Sequence, residues 1–245
     1  MEKHLDIIYK KVEGRNLYLD IYVPDEKNAP LVLWTHGGGW RSLNRKWNLV
    51  MPLVERGYAV ASADYRYSDE EIFPAQMYDL KEALLYLKKH GAEYGYDASK
   101  IAVAGDSAGG HLAEMLGVSI GNKNWEREDE DYSVQAVIDF SGAVKLCNPK
   151  DTDCFSQLVG ARLGTKTYTE RVSMARPVNY IDGSEPPFLI LHGSSDTVVS
   201  MQDPRSLRNA LEDAGVPVHM YLVPGGEHGL SGKLVDDIVC EFLGY

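Results

Sequence analysis

Lys100-Ile101-Ala102-Val103-Ala104, an apolar run of β-formers, passes into Gly105-Asp106-Ser107-Ala108-Gly109 and then into the apolar stretch Gly110-His111-Leu112-Ala113-Glu114-Met115-Leu116. A chain can leave a buried strand and enter a buried helix this abruptly only through a sharp turn. Gly105 and Gly109 leave room for strand and helix to approach, and the residue between them carries the backbone strain. Ser107 holds that place, so its hydroxyl is lifted above the end of a sheet. The Ala108 amide lies at the helix N-terminus, facing the point where negative charge could develop beside the serine. The bare Gly-x-Ser-x-Gly pattern also fits a glycine-rich helix cap. Its neighbours and its distant partners therefore have to carry the reading.

The rest of the chain reads as strands alternating with helices. Residues 5–12 and 17–23 alternate around Glu13-Gly14-Arg15-Asn16, as an antiparallel hairpin does. Further strands are expected over 31–35, 58–63, 101–104, 134–140, 188–191 and 216–223, several of them continuous apolar runs that fit strands buried on both faces. Helices are expected over 45–56, 74–89 (closed by Gly91), 112–120, 204–214 and 230–243. The least patterned stretch, 142–185, reads as a small insertion after the sixth strand, with short helices that roof a site. This order calls for an α/β fold: an eight-stranded, mostly parallel sheet with helices on both faces. The 245 residues, 44% of them hydrophobic, suffice for one core, and a single domain over 1–245 is expected.

Charge and composition exclude several classes. The net charge is −11, from 36 acidic and 25 basic residues, and no basic run stands out. Nucleic acids and anionic membrane surfaces are therefore poor partners. Met1-Glu2-Lys3-His4-Leu5-Asp6 has no apolar signal-peptide core, and no stretch approaches a membrane span, so the cytoplasm is the expected compartment. Cys147, Cys154 and Cys240 are odd in number and read as free thiols. No Cys/His spacing resembles a zinc site, and no metal or organic cofactor is expected. Oligomeric state is not legible.

A serine hydroxyl needs a base to become a nucleophile. His4, His36, His90, His111, His192 and His219 lie in a terminus, beside glycines, at a helix end, in the serine's own helix, at a strand end and within a strand. His36 and Trp40 read as loop anchors, His111 as packed, and His192 as fixed to backbone. His228, in Pro224-Gly225-Gly226-Glu227-His228-Gly229, sits in a loop after the last strand, where ligands meet open α/β sheets. The base in turn needs an acid. Asp196, at the end of the seventh strand, is the best placed, with Asp182 and Asp203 as fallbacks. His36-Gly37-Gly38-Gly39-Trp40 follows the third strand. Its glycines can turn amides into a site, so Gly38, Gly39 and Ala108 are the candidate oxyanion donors.

The set His36-Gly-Gly-Gly-Trp40, Asp64-Tyr-Arg66, Gly105-Asp-Ser-Ala-Gly-Gly-His111, His192-Gly-x-x-Asp196 and Gly226-x-His228 resembles the α/β-hydrolase superfamily. Within it the chain is similar to the hormone-sensitive-lipase-like carboxylesterases, in particular the compact branch with acetyl-ester and feruloyl-ester hydrolases. The resemblance implies Ser107 as nucleophile, His228 as base and Asp196 as its partner. It implies oxyanion binding by Gly38, Gly39 and Ala108, and an ion pair between Asp64 and Arg66 beside the site. The expected reaction is two-step acyl transfer on a small-molecule ester, of short acyl groups such as acetyl, with carbohydrate esters among the candidate substrates. Activity is expected to fall below roughly pH 6, because the base must be neutral. The pocket for the acid part should draw on 142–185 and the loop after Trp40, with Tyr65, Tyr67 and Tyr168 as candidate stacking residues. Amide, formamide or peptide cleavage by the same triad is the alternative chemistry. A non-catalytic binding protein on a hydrolase scaffold is the alternative class.

Overall fold

The hairpin is formed by β1 (Glu2–Val12) and β2 (Arg15–Val23), antiparallel and joined at Glu13 and Gly14, where Gly14 takes φ 83°. The computed structural model describes residues 1–146 and 152–244. β3 (Ala29–Thr35), β4 (Ala59–Ala63), β5 (Tyr96–Asp106), β6 (Val137–Phe140), β7 (Phe188–Gly193) and β8 (Val218–Val223) complete one sheet in the order β1-β2-β4-β3-β5-β6-β7-β8. β2 runs antiparallel to β4, and β3 to β8 are mutually parallel. This agrees with the expected eight-stranded, mostly parallel sheet.

The central strands are apolar throughout because both faces are covered. On β3, Leu31 and Leu33 face a core completed by Leu80 and Leu84 of α1 (Ala75–Tyr94), Leu112 of α2 (Ala108–Val118) and a further helix, α5 (Gln202–Asp213). Val32 and Trp34, the alternate residues, face a second core with Leu53, Val54 and the closing helix α6 (Lys233–Leu243). Every residue of α2 is buried, which accounts for its lack of polar periodicity. The connection from β6 to β7 carries α3 (Thr152–Val159), α4 (Lys166–Met174) and a short 3-10 turn.

Three local expectations are corrected. Residues 45–56 do not form one helix; only Met51–Arg56 is helical, as a 3-10 segment with a proline in its first turn. Upstream, the Asn44 and Asn48 side chains accept the Lys46 and Val50 amides at 3.0 Å, closing local turns that compete with helix. α1 continues past Gly91 to Tyr94 and is closed by Gly95 at φ 86°. Gly91 is a packing glycine instead, since a Cβ there would lie 2.6 Å from Ala98 Cβ. β6 is confined to Val137–Phe140 rather than beginning at 134.

Asp64 and Arg66 do not pair with each other. Asp64 Oδ2 accepts Arg45 Nη1 at 2.7 Å, and Arg45 also pairs with Asp20 at 3.0 Å and with Asp6. Arg66 forks onto Asp79 of α1, at 2.8 Å and 2.9 Å. Asp79 offers both oxygens to the planar guanidinium, while both oxygens of Asp64 are taken by Arg45.

Candidate active site

Ser107 adopts φ 54°, ψ −115°, a strained conformation at the start of α2. Its N–H donates to Phe140 O at 2.8 Å, and its carbonyl accepts the His111 N–H at 3.0 Å. A Cβ on Gly105 would stand 2.3 Å from Gly109 O, and one on Gly109 would stand 2.1 Å from Thr35 O. The two glycines therefore admit the contact of strand, helix and neighbouring strand that holds the serine up. Ala108, the next residue, is buried at the helix N-terminus.

The loop after β3 turns at Gly38 (φ 93°), Gly39 (φ 60°) and Trp40 (φ 58°). The Gly38 carbonyl is taken up by the Arg41 amide at 3.2 Å and the Ser42 hydroxyl at 2.8 Å. His36 stacks on Tyr65 at 4.3 Å, and the Tyr65 hydroxyl donates to the His36 and Gly37 carbonyls. Trp40 Nε1–H donates to His111 Nδ1 at 3.2 Å, which leaves His111 Nε2–H to donate to Ala175 O at 2.7 Å. Burial pushes both imidazoles down to about 4, so they stay neutral. His36 and Trp40 anchor the loop and His111 packs behind it, as expected from the sequence.

Asp196 has no exposed side-chain surface, and its Oδ2 lies 2.9 Å from His228 Nδ1. Burial alone would raise this carboxyl. The His228 N–H and the amides of Val199 and Val198 outweigh burial and hold it at about 2. Asp196 is thus ionised at neutral pH and fixes the His228 ring, leaving Nε2 as the free acceptor. A second imidazole, His192 Nε2, lies 3.7 Å from the same oxygen. The fallbacks sit elsewhere: Asp182 caps the Ser184 turn and Asp203 Oδ1 accepts the Lys145 amide.

Ser107, His228, Gly38 and Gly39 line one cavity of about 420 Å³. Trp40, Leu43 and Trp47 line it from the loop after β3, and Ala143, Cys154 and Phe155 from the β6–β7 connection. A larger groove of about 850 Å³ lies along α1 and contains none of these groups. Tyr65, Tyr67 and Tyr168 are absent from the cavity lining. Tyr65 and Tyr168 are buried, and the Tyr67 hydroxyl donates to the Leu43 carbonyl, so all three pack. Cys147 lies outside the described residues.

Asp106 and Trp47 are residues that sequence reasoning overlooked. Burial raises the Asp106 carboxyl to about 6, against the opposing pull of the Trp47 N–H, 3.4 Å away, and the Gly37 amide. Asp106 was visible inside the serine motif. Trp47, half in solvent, had only its isolation in a polar loop as a signal. Among the described residues, no group of three or more His, Cys, Asp or Glu side chains is placed to hold a metal ion. Nor is any helix among them long and apolar enough to cross a membrane.

Residues 19–211 match the BD-FAE family. The chain belongs to that family. This BD-FAE chain also superposes on a truncated carbohydrate esterase from gut microbiota, with a TM-score of 0.88 and 29% identity, covering 99% of this chain and 95% of that one. A thermophilic esterase from Thermogutta terrifontis superposes with a TM-score of 0.77 and 25% identity, over 98% and 91% of the two chains. The fold is thus that of the α/β-hydrolases. In sequence, the BD-FAE chain is 29% identical to esterase LipQ of Mycobacterium tuberculosis over 94% of its length. It is 30% identical to LipM, a probable carboxylic ester hydrolase of the same organism, over 92%. It spans 60% and 56% of those two relatives.

Proposed function

We propose that the protein is a serine carboxylesterase acting on short-acyl esters through an acyl-serine intermediate. The observation that carries this reading is the Asp196–His228 pair, with a free imidazole nitrogen, in the cavity that holds Ser107. His228 Nε2 takes the Ser107 proton as Oγ attacks the ester carbonyl. The amides of Gly38, Gly39 and Ala108 hold the oxyanion, and Asp196 stabilises the imidazolium. As the tetrahedral species collapses, the C–O bond to the alcohol breaks and His228 returns its proton to that oxygen. Water then gives a proton to His228, attacks the acyl carbon and frees the acid, and the proton goes back to Ser107.

Trp40, Phe155 and Val199 offer an apolar surface for an acyl group. Trp47, exposed at the rim, offers a ring face for a sugar, which fits the likeness to a carbohydrate esterase. Acetylated carbohydrates are therefore the substrate class to try first. The deciding experiment compares p-nitrophenyl acetate, butyrate and octanoate, acetylated xylan and an aminopeptidase substrate, together with fluorophosphonate labelling. Acetate preference with labelling at Ser107 is expected. Amide turnover without ester turnover would overturn the ester reading, and absence of both turnover and labelling would revive a binding role.

A further inference from the structure

Behind the nucleophile lie two acids that the reaction above does not use. Glu114 of α2 and Asp139 of β6 are both 0% exposed. Asp139 Oδ1 accepts the Gly142 N–H at 2.6 Å. Among the described residues, Asp139 Oδ2 and both Glu114 oxygens meet no other donor, and the two carboxyls face one another. They converge on Gly142: a Cβ there would stand 2.3 Å from Glu114 Oε1 and 2.5 Å from Asp139 Oδ1. The charged groups that bear on the pair are Asp203 of α5 and His228. Asp203 in turn faces Lys145 and Arg176.

Two buried carboxylates in contact, without a cation between them, cannot both ionise. At least one proton must stay between them. The bridge joins α2, whose first residue follows Ser107, to the chain leaving β6. That same stretch accepts the Ser107 N–H at Phe140 and lines the cavity at Ala143.

We propose that Glu114 and Asp139, sharing one proton, act as a single positioning unit that clamps the nucleophile's helix to the end of β6 and sets the height of Ser107. This rests on the esterase reading for its catalytic consequence, but the proton bridge itself does not. Losing the proton leaves two like charges in contact and drives α2 away from 140–143. Burial raises Glu114 well above the ordinary carboxyl range and Asp139 to about 7. The folded state therefore holds a proton that the unfolded chain has released. Its stabilisation is full below the unfolded carboxyl value, near 4, and is lost as pH rises through the folded value.

The test measures Tm, kcat and KM for p-nitrophenyl acetate from pH 5 to 9 in the intact protein, in Glu114→Gln and in Asp139→Asn. The amide keeps a hydrogen bond but has no proton to lose. Wild-type Tm should fall across this range, because the folded carboxyls hold protons that the unfolded chain releases from about pH 4 upwards, and kcat should fall at unchanged KM only beyond the Asp139 step near 7, as the last shared proton leaves; either variant should show a shallower Tm slope and no such loss of kcat, with kcat near wild type at pH 6. Glu114→Ala, which removes the bridge, should lower kcat by about 10²-fold at pH 6. An identical alkaline fall in the variants and the wild type overturns the proposal. If neither amide variant folds, the infrared band of a protonated buried carboxyl in wild type decides: its absence at pH 6 overturns the proposal. Should the protein show no esterase turnover at all, Tm and the infrared band still read the bridge, so the two failures are distinguishable.

Discussion

The Nδ1 atom of His228 stands 2.9 Å from Oδ2 of Asp196, a carboxylate with no exposed surface. Replacing that oxygen by an amide would present N–H to Nδ1 and favour the wrong tautomer. Asp196→Asn is therefore expected to lower kcat by about 10⁴-fold with the fold intact, the effect that tautomer reversal has in a Ser-His-Asp triad. Steady-state kinetics with p-nitrophenyl acetate, beside circular dichroism, checks this. Ser107→Ala should abolish fluorophosphonate labelling altogether, and labelling of the variant would refute the nucleophile assignment.

Gly109 and Gly57 separate two reasons for a glycine. A methyl on Gly109 would fall 2.1 Å from the Thr35 carbonyl oxygen, whereas one on Gly57 (φ 88°) would meet nothing within 4 Å. Gly57→Ala should cost about 1–2 kcal/mol, the price of a left-handed backbone. Gly109→Ala should cost more than about 3 kcal/mol or prevent folding, since backbone must move. Urea denaturation ranks them, and equal costs would contradict the steric account.

Arg45 is the sole cation placed against Asp20 and Asp64 in the described residues, at 3.0 Å and 2.7 Å. Those carboxylates are 3% and 11% exposed. Arg45→Met should destabilise by about 3–5 kcal/mol, because it leaves buried charge without compensation. The loss should be read as a lower urea midpoint at unchanged slope.

His111 is fully buried, and burial holds its imidazole at about 4, against 6.5 in the unfolded chain. Between those values the unfolded state binds a proton that the folded state does not. Stability should therefore fall as pH drops from 6.5 towards 4, and His111→Gln should make that limb shallower, with His36 contributing to the remainder. His111→Phe also orphans the Trp40 N–H and the Ala175 carbonyl, a loss of about 1–3 kcal/mol for each buried group. Thermal melts across pH 4 to 7 test both statements.

The central strands were legible because they are apolar runs bounded by turns, and the hairpin because its residues alternate about a glycine turn. The serine turn was legible because only glycine permits the approaches at 105 and 109. Asp196 and His228 announced themselves by position, at the ends of consecutive strands. What sequence could not show were partners chosen by three-dimensional competition. Arg66 finds Asp79, 13 residues away and on another element, rather than Asp64 beside it in the motif. Arg45 looked like the start of a helix, yet its guanidinium is drawn to three carboxylates from two other parts of the chain. Glu114 read as one polar residue in an apolar helix. Its meaning depends on Asp139, which arrives from a neighbouring strand.

The line of hydrogen bonds from Trp40 through His111 to Ala175 spans the loop after β3, the helix behind Ser107 and the β6–β7 connection. Any attempt to widen the cavity by exchanging that connection for a longer one would tug on the turn beside Gly39. Engineering for bulkier acyl groups should therefore trim side chains such as Phe155 in place and leave the 175 anchor untouched.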